Sequence, residues 1–319
     1  MADTRPIVIG PWRSEVGFEV LYWIPFVLHR LFVAQAEKSR VHVITRGGAG
    51  PWYGFPDDHT LDLFDLYSGD VGLAELREQA HRDVVQRGSL KQFVTTAFDR
   101  EILDRACRHW GLRNPIILHP RTMYHVFRPF FAQEVSLEYV LQRTAWDLIP
   151  TPMLPEGLPP TYYVAGFYAR ATLSGHFSVV QRVNQIVRGI ARHTPVVLLK
   201  NPHHLDDHVD LPIEGEGIQV ASEVAPNKTL ALHTALIGHS QGFLGTYGGI
   251  SQLALRMKKP VRSFFQTLEG TSWAHLALSH WIAHQMGVSF RAESLREAEL
   301  FTGLFDAVTP IHEGGGSSS

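Results

Sequence analysis

Residues 150–160 read Pro-Thr-Pro-Met-Leu-Pro-Glu-Gly-Leu-Pro-Pro, with five prolines in eleven positions. Proline fixes φ and lacks an amide hydrogen, so neither a helix nor an inner strand runs through such a stretch. The segment reads as a linker between two organised parts. Before it, Pro6 to Gly10 reads as a buried strand closed by Gly-Pro. Glu19 to Gln35 reads as a helix entered through Gly17 and kinked or stopped near Pro25. Val41 to Thr45 is the next strand, closed by Arg46-Gly47-Gly48. Leu61 to Leu66 is a candidate strand, Leu73 to Gln86 and Leu90 to Trp110 are helical, and Pro115 to His119 is again strand-like.

After the linker the alternation restarts. Thr161 to Phe167, Pro195 to Leu199, Gly217 to Ala221, Gly242 to Gly245 and Val261 to Phe265 read as strands. Between and after them Ser178 to His193, Lys228 to Gly238, Ser251 to Met257, Trp273 to Gln285 and Leu295 to Ala307 read as helices. Strands alternating with helices predict parallel α/β sheets. The expected organisation is an N-terminal α/β domain over 1–149, the linker, a second α/β domain over 161–290, a helix within 291–312 and a flexible tail over 313–319.

Composition narrows the classes. The chain has 319 residues, 45% of them apolar and 19% charged, which supports a sizeable core and excludes global disorder. The formal net charge of −2 argues against binding nucleic acid through bulk charge. Cys107 is the single cysteine, so an intrachain disulfide and a cysteine-built zinc cage are both excluded. No secretory signal is visible, and the apolar stretch Val16 to Val33 is interrupted by Glu19, Pro25, His29 and Arg30. The expectation is a cytoplasmic, soluble protein. The aromatic run Phe18 to Phe32 reads as core and leaves peripheral membrane contact open.

In open α/β sheets, ligands sit beyond the carboxyl ends of the strands, so the informative loops follow each strand. The first is Gly10-Pro-Trp-Arg-Ser-Glu-Val-Gly-Phe-Glu19, with Arg13, Glu15, Gly17 and Glu19. A carboxylate at a helix start is stabilised by the helix dipole, and it can also serve as a general base where two domains meet. The second is Gly242-Phe-Leu-Gly245-Thr246-Tyr247-Gly248-Gly249-Ile-Ser251. Its glycines would let a phosphate approach backbone amides at a helix start, with hydroxyls from Thr246 and Ser251. The third, Tyr168-Ala-Arg170-Ala-Thr172-Leu-Ser174, offers Arg170 as a clamp on a diphosphate, with Lys200 assisting from the end of the next strand.

Two other motifs attract attention. Gly238-His-Ser240-Gln-Gly242 matches the G-x-S-x-G nucleophile elbow, but the predicted helix precedes it and the strand follows, the reverse of what an elbow needs. Asp306 and His312 are the late acid-then-histidine pair it would use. His203-His-Leu-Asp-Asp-His208 has metal-ligand residue types, without a standard helical spacing. The reading assigns no metal and no cofactor.

Glu19-Val-Leu-Tyr-Trp-Ile-Pro25 resembles the start of the first helix in bacterial lipopolysaccharide heptosyltransferases, where a carboxylate is followed six positions on by proline. Gly245-Thr-Tyr-Gly-Gly-Ile-Ser-Gln-Leu-Ala254, followed by Lys259-Pro260, is similar to the donor-side segment of the same enzymes and to the glycine-rich turn of fucosyltransferase-like sugar transferases. The resemblance implies the GT-B glycosyltransferase architecture: two Rossmann-like domains facing across a cleft. It implies a nucleotide-sugar donor held by the second half, and a saccharide, lipid-linked or small-molecule acceptor. Glu19 would then be the general base, Arg170 would stabilise the leaving diphosphate, and transfer would be inverting and metal-independent. Without the resemblance, Glu15 and Glu19 remain equal candidates for the base. Rival readings are a nucleotide-sugar epimerase on the same frame, a serine hydrolase using Ser240, and a non-catalytic nucleotide-sugar-binding module.

Overall fold

The computed structural model describes residues 4–87, 91–201, 208–268 and 272–295. Its first sheet has four parallel strands: β1 (Ile7–Ile9), β2 (Val41–Thr45), β3 (Thr60–Asp62) and β4 (Ile116–Leu118), in the order β3-β2-β1-β4. The apolar triplet Ile7–Ile9 is central and pairs Ile7 with both Val41 and Ile116. The second half contains β5 (Tyr163–Gly166), β6 (Tyr168–Ala169), β7 (Val196–Leu198), β8 (Val209–Asp210), β9 (Ile218–Val220), β10 (Phe243–Thr246), β11 (Val261–Phe265) and β12 (Phe290–Ser294). Six of these form a parallel sheet in the order β12-β11-β10-β5-β7-β9, and β6 and β8 form a short antiparallel pair.

The helices are α1 (Val16–Val33), α2 (Leu63–Leu66), α3 (Gly69–Arg87), α4 (Ala97–His109), α5 (Tyr124–Phe131), α6 (Leu137–Leu141), α7 (Phe177–Ala191), α8 (Thr229–His239), α9 (Gly249–Arg256) and α10 (Ser272–Met286). The two-half α/β expectation therefore matches the observed sheets. Several details differ, among them that the helix expected over Leu90 to Trp110 begins only at Ala97. Leu61 to Leu66 is half strand and half helix, because Asp62 accepts from the Phe64 amide and caps α2. Pro25 does not stop α1, since it lies in the first turn after a π-helical stretch over Glu19–Trp23. Phe290–Ser294 is a sheet strand beside β11, so positions 291–294 of the expected C-terminal helix belong to the second sheet, and positions 296–312 of that helix and the tail over 313–319 lie outside the described residues.

Helix α1 is by length and composition capable of crossing a membrane, and 61% of it is buried inside this fold. One apolar cluster joins Trp12, Phe18 and Trp23 of the first half to Leu236, Leu253 and Leu278 of the second. A buried cation pins the same boundary. Arg256 is fully buried and donates to the Val20 carbonyl at 2.7 Å and to the Asp147 carbonyl at 2.5 Å. Burial lowers its pKa to about 10, which leaves it charged at neutral pH. The shared core and this pin hold the carboxyl ends of the two sheets toward one another.

Candidate functional site

Between the halves lies a cavity of about 350 Å³. Its walls follow strand ends: Glu15 to Phe18 after β1, Arg46 and Gly47 after β2, Tyr168 and Arg170 after β5, Leu199 to Asn201 after β7, and Tyr247 to Ile250 after β10. This is the place that open parallel sheets reserve for ligands. Lys91, Arg46, Arg170 and Lys200 bring cationic side chains to it, against the carboxylates of Glu15 and Asp210.

Glu15 and Arg170 meet across the cleft. Arg170 Nη2 donates to Glu15 Oε1 at 2.9 Å, and Arg170 Nη1 lies 3.3 Å from His208 Nε2. His208 stacks on Tyr168 with ring centres 4.0 Å apart. Burial favours the neutral form of Glu15, but the Arg170 charge and hydrogen bond outweigh it, so its pKa lies below the ordinary value. Lys91 adds to that field, and its own pKa is lowered by burial. Glu15 is the N-cap of α1 with extended backbone (φ −66°, ψ 144°), so its side chain leaves the helix axis for the cavity.

Glu19 lies elsewhere. Its side chain is 0% exposed and takes no part in the cavity wall. Oε1 accepts from Thr45 Oγ1 at 2.8 Å and from Tyr53 Oη at 2.6 Å, while Oε2 is buried without a hydrogen-bond partner. Burial raises the Glu19 pKa to about 7, against the pull of those two donors. The carboxylate that faces the ligand space is thus Glu15, not Glu19.

Arg13 is also drawn inward. It donates to Asp99 Oδ1 and to Asp83 Oδ2, each at 2.8 Å, and the Arg13 amide donates to Gln92. His119 Nε2 lies 3.4 Å from Asp99. Burial opposes the Asp99 charge, but His119 and Arg13 hold its pKa well below the usual carboxylate range. This network fixes the loop after β1 and keeps Arg13 off the cavity wall.

The glycine-rich turn is built for close packing. A Cβ on Gly249 would stand 2.6 Å from the Gly17 amide nitrogen, and one on Gly17 would stand 2.5 Å from Gln252 Oε1. These two glycines let α9 and α1 touch. A Cβ on Gly245 would strike the Gly166 carbonyl, and one on Gly248 would strike Tyr168 Oη. The hydroxyls expected to bind anions are engaged elsewhere. Thr246 Oγ1 donates to the Tyr168 carbonyl and accepts from its amide, and Ser251 Oγ bridges the Gly248 carbonyl and amide. What the turn does bring to the cavity is Tyr247 and the backbone of Gly248, Gly249 and Ile250. First-turn amides of a helix have no intrahelical acceptor, and Gly249 and Ile250 of the first turn of α9 line the cavity.

Of the expected site residues, Glu15, Gly17, Arg170, Lys200, Tyr247, Gly248 and Gly249 line the cavity. Glu19, Arg13, Gly245, Thr246 and Ser251 support it from behind. Reasoning on sequence missed Arg46, Lys91, His233 and His275. Arg46 stands directly after β2 and the post-strand rule would have found it; Lys91 and the two histidines carry no local signal. Tyr22 Oη and His275 Nδ1 lie 2.5 Å apart. Burial raises the Tyr22 pKa far above its ordinary value and lowers that of His275 to about 4. A neutral phenol and a neutral imidazole thus share a hydrogen bond between the halves.

Ser240 is buried away from the cavity, with its hydroxyl directed to the carbonyls of Ile237 and Gly242. It follows α8 and precedes β10, so it is no nucleophile elbow. Asp306 and His312 lie outside the described residues, as do positions 203–207 of the histidine cluster. Among the described residues no group of three or more His, Cys, Asp or Glu is placed to hold a metal ion. A second, open groove of about 470 Å³ shares Lys91 with the cavity and is lined by Phe93, Arg128 and Phe131.

No protein-family model matches the chain, and no curated protein matches it. Solved structures do. The dodecameric iron-containing glycosyltransferase TibC from enterotoxigenic E. coli matches over 82% of this chain with 13% identity and a TM-score of 0.43, and this chain spans 58% of its length. E. coli heptosyltransferase WaaC, solved with ADP, matches over 84% of this chain and 89% of its own, with 12% identity and a TM-score of 0.44. The family 9 glycosyl transferase from Veillonella parvula matches over 95% of this chain and 97% of its own, with 14% identity and a TM-score of 0.44.

Proposed function

We propose that the protein is a glycosyltransferase of the GT-B type that moves a sugar from a nucleotide-sugar donor to an acceptor hydroxyl. The observation that carries this reading is the Glu15–Arg170 pair, a carboxylate and a cation from opposite halves meeting in a cavity at the carboxyl ends of two parallel sheets. A nucleoside diphosphate needs cations and amides, and the cavity supplies Arg170, Lys91 and the first turn of α9. The sequence resemblance to heptosyltransferases supports a donor held by the second half; it implied Glu19 as the base, and the proposal moves that role to Glu15 because Glu19 does not line the cavity.

In the proposed reaction the acceptor oxygen attacks the anomeric carbon from the face opposite the leaving group. The bond from that carbon to the diphosphate oxygen breaks, and its electron pair departs with the nucleoside diphosphate. The acceptor proton passes to Glu15. The transition state is oxocarbenium-like, and charge grows on the leaving oxygen. Arg170 exchanges its hold on Glu15 for the diphosphate, which frees the carboxylate as base at the moment the leaving group needs a cation. One such fixed donor is worth roughly 2.7–4 kcal/mol of barrier. Inversion and independence from metal are part of the proposal, and the acceptor enters from the Lys91 side, along the open groove.

The test is a thermal-shift screen of the full chain against nucleoside diphosphates, with and without EDTA. A ligand at 100 times its Kd adds about 2.7 kcal/mol to stability. A shift with one nucleoside diphosphate, unchanged by EDTA, is expected. No shift with any nucleotide contradicts the reading.

A further inference from the structure

His208 lines the cavity, and the reaction above gives it no role. It ends the histidine-rich stretch whose residue types suit a metal. The short antiparallel pair of β6 and β8 sets Tyr168 opposite Asp210 and Ala169 opposite Val209. One step further, the same register puts residue 208 opposite residue 170. On paired antiparallel strands, side chains directly opposite or two residues away share a face. Tyr168, Arg170 and His208 therefore meet on one side of the pair, and all three line the cavity. The His208 ring lies on the Tyr168 ring with 23° between the planes. Tyr168 is held at both backbone polar groups by one buried hydroxyl: its amide donates to Thr246 Oγ1, which donates to its carbonyl, each at 3.0 Å. The platform under His208 is thus continuous with β10 and the glycine-rich turn.

A guanidinium donates and never accepts, so in the 3.3 Å contact with Arg170 Nη1 the His208 Nε2 is the bare ring nitrogen. The planar fork of Arg170 is shared between the halves: Nη2 donates to Glu15 of the first, and Nη1 to His208 of its own. We infer that His208 is a positioning residue for Arg170: it holds Nη1 while Nη2 leaves Glu15 for the diphosphate, so the cation turns about a fixed end. The inference rests on the nucleotide-sugar reading above. A long, rotamer-rich side chain pays entropy to be immobilised on a ligand, and a fork already held at one nitrogen pays less. Glu15 cannot do the holding during transfer, because the reaction needs it free as base. His208 sits on the same half as Arg170 and stays in place through the exchange.

The test is a double-mutant cycle on the full chain, read as the dissociation constant, by calorimetry, of whichever of ADP, UDP, GDP or CDP stabilises it most. His208→Phe keeps a ring on Tyr168 and removes the acceptor. It should weaken binding by about tenfold and leave the melting temperature unchanged. His208→Leu carries the same expectation should the Phe variant not fold. His208→Gln returns an acceptor oxygen to the ε position and should recover most of the affinity. Arg170→Gln should weaken binding on its own, and adding His208→Phe to it should cost nothing further, because His208 acts only through Arg170. A folded His208→Phe protein that binds within about twofold of wild type overturns the inference and leaves the Arg170 site standing. A Gln variant as weak as the Phe variant also overturns it, since the acceptor is then not what matters. So does a double variant that loses the product of the two single losses, which would place His208 on the ligand itself. If Arg170→Gln binds as wild type does, or wild type binds no nucleoside diphosphate, the donor reading fails and takes this inference with it.

Discussion

Glu15 and Glu19 stand one helical turn apart in sequence and have opposite surroundings. Glu15 is 20% exposed, faces the cavity and has its charge stabilised by Arg170 from the other half. Glu19 is sealed between Thr45 and Tyr53 of its own half, with a pKa pushed up to about 7. The difference shows that a carboxylate's role is set by which way the backbone turns its side chain. Glu15 lies before the first helical residue on extended backbone, while Glu19 sits where the helix widens and turns into the core.

The comparison can be broken from either end. Glu15→Gln has the largest expected effect: a loss of about 10²–10⁴-fold in transfer, with donor binding retained, as read by steady-state kinetics. Arg170→Gln follows, with a loss of roughly 10²–10³-fold from the missing charge on the leaving group. It should also move the acid limb of the kcat/KM profile to higher pH, because Arg170 holds the Glu15 pKa down. If the limb stays in place, Glu15 is not the group that titrates.

Glu19→Gln should act on stability rather than chemistry. Below about pH 4.5, the ordinary glutamate value, folded and unfolded chains both hold the Glu19 proton. Between there and about pH 7 the unfolded chain releases it and the folded chain retains it, so stability falls as pH rises through that window. The full loss is on the order of 3 kcal/mol. Denaturant titrations across that range should show the fall in wild type and a flatter profile in the Gln variant. The smallest effect sharpens the geometry between the halves. Gly249→Ala pushes a methyl against the Gly17 amide and should cost ~1–3 kcal/mol in unfolding experiments. It should weaken transfer by separating Glu15 from Arg170.

Much of this was legible in the sequence. Short apolar runs such as Ile7–Ile9 and Val41–Thr45, separated by helical periods, give parallel sheets, and parallel sheets fix where ligands bind. That rule was enough to reach the loops holding Glu15, Arg170 and Lys200. It was not enough to orient side chains within them. Residues 15 and 19 are four apart, which on a regular helix means a shared face; only the N-cap conformation and the π-helical stretch separate them. The glycines of the turn look like an anion cradle in sequence, yet Gly17, Gly166 and Tyr168 come from distant positions to occupy the space they leave. Lys91, His233 and His275 reach the cavity through packing alone, which no local pattern records.

The most direct test sets Glu15→Gln beside Glu19→Gln in one assay of nucleoside diphosphate release, using the nucleotide sugar whose diphosphate stabilises the protein. The Glu15 variant should bind the donor and lose at least about a hundredfold in turnover, while the Glu19 variant should keep turnover within a few-fold. A Glu15 variant with full turnover, or a folded Glu19 variant without it, would contradict the account.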